Sequence, residues 1–110
     1  MDEGKYLVVY VTAPQDAAPQ LARTIVERRL AACVNIVPQV RSVYRWQQEI
    51  CDDAESLLVI KTRAALLSPL QQAVVELHSY DVPEVIALPV RGGHEPYLRW
   101  LEQETSTEET

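Results

Sequence analysis

Apolar positions recur along the chain in two periods, and their order predicts the fold. Residues 5–12 form a nearly continuous run of β-branched, aliphatic and aromatic side chains, the pattern of a strand covered on both faces. After a break at Ala13, Pro14 and Gln15, Asp16 is the expected N-cap of a helix, with Pro19 in its first turn. Leu21, Ile25 and Leu30 fall on one stripe of that helix, flanked by Ala22 and Val26, and the pattern carries it to about Ala32. A strand pattern then follows with no glycine between and continues to Trp46. Strands commonly span about 5–6 residues, and this run is more than twice that length. Pro38 removes a ladder donor inside it, so a bend or bulge is expected there. Beyond Pro38 the alternation sets Val43 and Arg45 on one face, Tyr44 and Trp46 on the other.

The second half repeats the alternation of elements without repeating the sequence. Gln47, Gln48 and Glu49 with Asp52 and Asp53 supply turn chemistry, and a strand is expected over residues 54–62. A helix should begin near Ser68 and Pro69, with Leu70, Val74 and Leu77 on one face. Residues 80–83 read as a loop, residues 84–90 as a strand whose Pro89 marks an edge, and residues 95–102 as a last helix after Gly92 and Gly93. The order βαββαβ predicts an α+β ferredoxin-like sandwich with an additional C-terminal helix and long extended hairpin strands in an antiparallel sheet. One domain over residues 1–104 and a flexible acidic tail over 105–110 complete the expected organisation. A small fold has no core wide enough for the strand that ends at Trp46. Its outer part needs a partner, and the simplest partner is another copy.

Charge narrows the partners. The net charge is −6 and the basic residues stand singly apart from Arg28 and Arg29, so the electrostatic footprint of a nucleic-acid binder is missing. No apolar run approaches the ~20 residues of a membrane span. The N-terminal Met-Asp-Glu-Gly-Lys has neither the basic nor the apolar part of a signal peptide, which makes the cytoplasm the expected location. Cys33 and Cys51 are then expected as thiols, Cys33 packed in the core and Cys51 exposed at the hairpin.

Candidate chemistry is sparse. No glycine-rich phosphate loop, Walker motif, CxxC pair or hydrolase motif occurs. Cys33, Cys51, His78 and His94 carry the ligand types of a zinc or copper site, but at spacings that match no structural-zinc pattern. His94 reads as a cap of the last helix. The segment HSYDVPE at 78–84 gathers an imidazole, a phenol and two carboxylates between a helix and a strand. It reads equally as a small site or as a helix end with a cationic His, a covering Tyr80 and a turn at Asp81. Lys61, near a strand end, could simply pair with a carboxylate such as Glu84. None of these groups supplies a nucleophile–base pair, so no enzyme is expected.

Five segments resemble one family in order and spacing: LAACVNIVP at 30–38, SVYRW at 42–46, LVIKT at 58–62, HSYDVPE at 78–84 and YLRW at 97–100. Across about residues 6–101 the chain resembles the CutA family of divalent-cation tolerance proteins. The resemblance implies a tight homotrimer whose long strands cross to neighbouring subunits, as in the PII signalling proteins. It also implies a role in tolerance of copper and other divalent cations, by weak metal binding, with no cofactor required. Tyr44, Trp46, Lys61, His78, Tyr80 and Glu84 are the expected lining of an inter-subunit cleft, and His78 and Cys51 the expected metal contacts. An alternative is a PII-like sensor of a small ligand in that cleft. In some relatives a first-strand cysteine and a histidine pair serve copper; here Val11 and Leu77 stand at two of those positions. Gln47 and Gln48 also stand where many relatives carry a glycine, so a different hairpin turn is expected.

Overall fold

The computed structural model describes residues 4–106, and the statements below concern those residues. Strand β1 (Tyr6–Ala13) is followed by helix α1 (Ala18–Glu27), then by β2 (Cys33–Trp46) and β3 (Glu49–Arg63). A short 3-10 turn leads into α2 (Leu67–Leu77), β4 (Ile86–Pro89) and α3 (Glu95–Glu104). The strands form one antiparallel sheet in the order β2-β3-β1-β4, the ferredoxin-like arrangement expected from the element order.

Alternation along the central strands decides where the core lies. Val9 and Val11 of β1 and Leu58 and Ile60 of β3 point to one face, where Ile25 of α1 and Leu70 and Val74 of α2 bury them completely. The opposite face is covered only at its base. There α3 packs Leu101 against Tyr6 and Ala32, and Arg63 donates to the Thr105 hydroxyl at 2.7 Å and to its carbonyl at 3.1 Å. Thr105, assigned to the tail by the sequence, is therefore buried in the fold. Residues 107–110 of the expected tail lie outside the described residues.

Several expected boundaries move, each for a local reason. Ala17, not Asp16, occupies the N-cap position of α1, and no side chain caps it. The helix ends at Glu27 because Arg29 adopts φ 59°, while Leu30 N–H reaches the Ile25 carbonyl and Arg29 N–H that of Val26. This is a Schellman stop with arginine at the position glycine usually fills. Strand β3 begins at Glu49 rather than residue 54, because the hairpin turns on Gln47 and Gln48 alone. Both have positive φ, 51° and 71°, as a two-residue type I′ connection requires. Asp52 and Asp53, expected in the turn, are ladder residues opposite Val43 and Ser42.

The irregularity expected at Pro38 is a β-bulge between Val37 and Val40, with Gln39 at φ 60°. The extra residue exchanges the faces of β2, so that odd-numbered residues point one way before it and the other way after it. Outward of the bulge, residues 40–46 pair only with residues 49–55, and this two-stranded arm gives the molecule its long dimension, 47 × 25 × 22 Å.

Candidate functional site

The face of the sheet away from α1 and α2 carries a cleft at the root of the arm, with a volume of about 660 Å³. Four elements build it. The bulge turns Ser42, Tyr44 and Trp46 of β2 toward this face, where β3 adds Glu55 and the end of β1 adds Thr12. The segment after α2 closes the side with Ser79, Tyr80, Asp81, Val82 and Glu84.

Hydrogen bonds hold that segment in place. His78 ends α2, with its backbone N–H on the Val74 carbonyl. Its Nε2 lies 2.7 Å from the Thr12 carbonyl and therefore donates; its Nδ1 accepts the Tyr80 N–H at 3.1 Å. Both ring nitrogens are thus occupied within the protomer. The imidazole also lies 4.5 Å from the Tyr80 ring, centroid to centroid. Tyr80 then donates its hydroxyl to Glu55 Oε2 at 2.6 Å, and Glu84 Oε1 accepts from Thr12 Oγ1 at 3.3 Å.

The electrostatics are one-sided. Burial and the neighbouring Glu55 carboxylate push the Tyr80 phenol up to about 12, so the hydroxyl stays protonated as a donor. Tyr44 donates to Asp53 Oδ2 at 2.5 Å, and this bond, more than burial or the nearby Cys51, raises its pKa strongly. On the arm's other face Arg41 grips Asp52 through two bonds of 2.8 Å, which holds that carboxyl below its ordinary range.

Of the expected site residues, Tyr44, Trp46, Tyr80 and Glu84 come together in the cleft, and His78 stands behind Tyr80 as its support. Lys61 is not with them in the protomer. It lies six residues from Glu55 along β3, about 20 Å at the usual strand rise. There it bonds Asn35 Oδ1 beside the Cys33 thiol. Cys33 is half-buried on this second face rather than enclosed in the core. Cys51 is half-buried opposite Tyr44 instead of exposed at a turn. The Thr12 carbonyl that holds His78 sits at the level of Leu57, again six residues and about 20 Å from Cys51. Within one protomer these two residues cannot share an ion. Glu55, the buried carboxylate of the cleft, lies within the strand expected over residues 54–62 but is not among the expected site residues. The signal available was parity, since Glu55 shares a face with Leu57 and Val59 once the strand extends through it.

Architecture and cleft define a ferredoxin-like protein with an extended hairpin arm. Residues 7–104 match the family model of the CutA1 divalent ion tolerance protein. The chain is 55% identical over 100 residues to the chloroplastic CutA protein of Arabidopsis thaliana, covering 90% of this chain and 55% of that protein. It is 48% identical over 99 residues to the divalent-cation tolerance protein CutA of Thermus thermophilus, covering 89% and 96% of the two. The crystal structure of CutA1 from Oryza sativa superposes with a TM-score of 0.91 at 50% identity, covering 98% of this chain and all of that one. This chain belongs to the CutA1 family. It spans only 55–59% of the length of the plant, mouse and human relatives.

Proposed function

We propose that this chain works as a homotrimer in its cell's tolerance of divalent cations, copper among them, without catalysing a reaction. The arm carries the proposal. Val43, Tyr44, Trp46 and Ile50 are 63%, 41%, 43% and 62% exposed on a ribbon that leaves its own core behind. Large apolar side chains exposed on both faces of a projecting ribbon are the mark of an interaction surface. Family membership and the cation-tolerance name of the Thermus thermophilus relative support the metal side of the reading. Among the described residues no three metal-ligating side chains converge, so cations are held weakly or by ligands from neighbouring subunits. No helix among the described residues is long and apolar enough to cross a membrane, and the cytoplasm is the compartment we assign.

Light scattering during size-exclusion chromatography at micromolar concentration tests the assembly. A trimer is expected, and Trp46→Ala should weaken it by about 2 kcal/mol, the scale of an interfacial tryptophan. A stable monomer sinks the reading. Calorimetric titration of the assembled protein with copper and zinc tests the cation side, and no heat at high micromolar metal removes direct binding.

The volume and aromatic walls of the cleft favour a second reading, a PII-like sensor that takes a small ligand beside the arm. Both readings need the assembled protein. They differ in whether a metal or an organic molecule is the signal.

A further inference from the structure

We infer that His78 is a positioning residue of the cleft and not a metal contact, in the single chain or in the assembly. This goes beyond both readings above, since it removes the histidine that the family resemblance offers to a cation. The bonds that decide it are ones each copy makes within itself. A metal takes the in-plane lone pair of a neutral ring nitrogen, and imidazole has one such pair. The 2.7 Å contact to the Thr12 carbonyl fixes the proton on Nε2, so that pair lies on Nδ1. Alone, this would suit a ligand, because metal-bound histidines commonly donate their other N–H to a carbonyl. The Tyr80 N–H, at 3.1 Å, occupies the pair that remains. A neighbouring copy can bring further donors to this ring, but it cannot supply the lone pair a metal would need. Val11 and Leu77, at the other two positions that serve copper in some relatives, carry no donor atom in any copy.

What the ring does instead follows from the bonds around it. Residues 78–85 form neither helix nor strand, so side chains must hold them against the sheet. His78 leaves α2 in an extended conformation, φ −82° and ψ 147°, and its ring accepts from the amide two residues on. Thr12 grips the segment at both ends. Its carbonyl takes His78 Nε2, and its hydroxyl donates to Glu84 Oε1 at 3.3 Å. Between these points Tyr80 reaches Glu55 at 2.6 Å, with its ring 4.5 Å from the imidazole. His78 thus links the end of β1 to the Tyr80 backbone, and Tyr80 carries that placement to the cleft wall.

Nitrogen NMR of the intact, assembled protein with labelled histidine is the first test, at mildly alkaline pH. The chain has only His78 and His94 to report, and His78→Asn assigns them. His78 should show the Nε2–H tautomer, and zinc at the level used in calorimetry should leave both its nitrogens unmoved. The Nδ1–H tautomer in metal-free protein, or a zinc-induced coordination shift at either His78 nitrogen, overturns the inference. Where zinc does not bind, the tautomer and the next measurement decide. Amide exchange at Tyr80 reads the positioning role. His78→Ala should speed it about tenfold, the equivalent of one hydrogen bond. His78→Asn should restore most of the protection, because asparagine also accepts from the amide two residues on. Denaturation of His78→Ala, Tyr80→Phe and the double variant then separates positioning from general support. The two losses should overlap, leaving the double variant closer to the larger single loss than to their sum. Strictly additive losses, or Tyr80 exchange that ignores His78→Ala, overturn the positioning role. Where His78→Ala fails to fold, His78→Asn takes its place in the cycle, and the tautomer and zinc shifts of the wild type decide the metal side. None of these outcomes alters the oligomeric state or the heat of cation binding, which test the function proposed above separately.

Discussion

One hairpin, β2 and β3, is two structures joined at a bulge. Inward of it, residues 33–37 pair with residues 57–61, β1 extends the sheet on the other side of β3, and helices cover Leu58 and Ile60. Outward of it, residues 40–46 and 49–55 have only each other, and the apolar side chains stand in the open. The antiparallel ladder is alike in the two halves, while the outer one is richer in charge and lacks cover. A two-stranded ribbon is marginal by itself in water. The inner half is thus stabilised by the protomer, and the outer half awaits a surface that only another molecule can supply.

The largest effect that separates the halves comes from one substitution made twice on the same strand. Ile60 is fully buried and Ile50 is 62% exposed. Ile60→Ala should cost about 2–5 kcal/mol in chemical denaturation, through lost burial and the cavity left behind. Ile50→Ala should change the protomer by no more than about 0.5 kcal/mol. Any larger loss from Ile50→Ala should grow on dilution, because only a second copy can cover that side chain. A concentration-independent loss as large as that at Ile60 would show that the arm is part of the protomer's own core.

These halves are unequally legible in the sequence. The inner strands, both main helices and the sheet order follow from periodicity, since burial on one face leaves a clear pattern. The length of β2 and the irregularity at Pro38 are legible too, from a run that outgrows its core. The hairpin tip is not. Asp52 and Asp53 have turn chemistry by composition, yet Arg41 and Tyr44 bind them across the ladder, a cross-strand reason that a local window cannot see. Arg29 ends α1 early because it takes the left-handed conformation without being glycine. The cleft is half legible. Tyr44, Trp46, Tyr80 and Glu84 can be named from the sequence, whereas Lys61 lies about 20 Å from Glu55 along the same face of β3, and Glu55 is passed over because the contact from Tyr80 that marks it comes from a segment distant in sequence.

At the junction of the halves, Tyr80 ties the segment after α2 to Glu55, the ladder partner of Val40 just outward of the bulge. Tyr80→Phe keeps the ring and removes the donor, leaving a buried carboxylate without its bond. A loss of about 1–3 kcal/mol is expected. Its pH dependence has a definite sign. The phenol titrates at 10.0 when unperturbed, as in the unfolded chain, and at about 12 in the fold, so the unfolded chain loses its proton first. The stabilisation is fully present below pH 10 and disappears as pH rises toward 12. Denaturation of wild type and Tyr80→Phe across that window should therefore show a gap that is constant below it and closes within it. A gap that stays constant throughout would mean that Tyr80 does not donate to Glu55.

The smallest expected effect tests whether the arm opens separately from the body. Gln48 sits at φ 71°, and a residue with a β-carbon gives up roughly 1–2 kcal/mol in that region. Gln48→Gly relieves this strain but adds roughly 0.5–1 kcal/mol of backbone entropy to the unfolded chain. The net gain is at most about 1.5 kcal/mol, the difference of those two terms. Where it appears matters more than its size. If the arm opens as a local unit, amide exchange should slow at residues 43–46 and 49–52 and stay unchanged at Val9, Leu58 and Ile60. Equal slowing in arm and core would mean that the bulge transmits unfolding rather than confining it, and that the two halves of the hairpin stand or fall together.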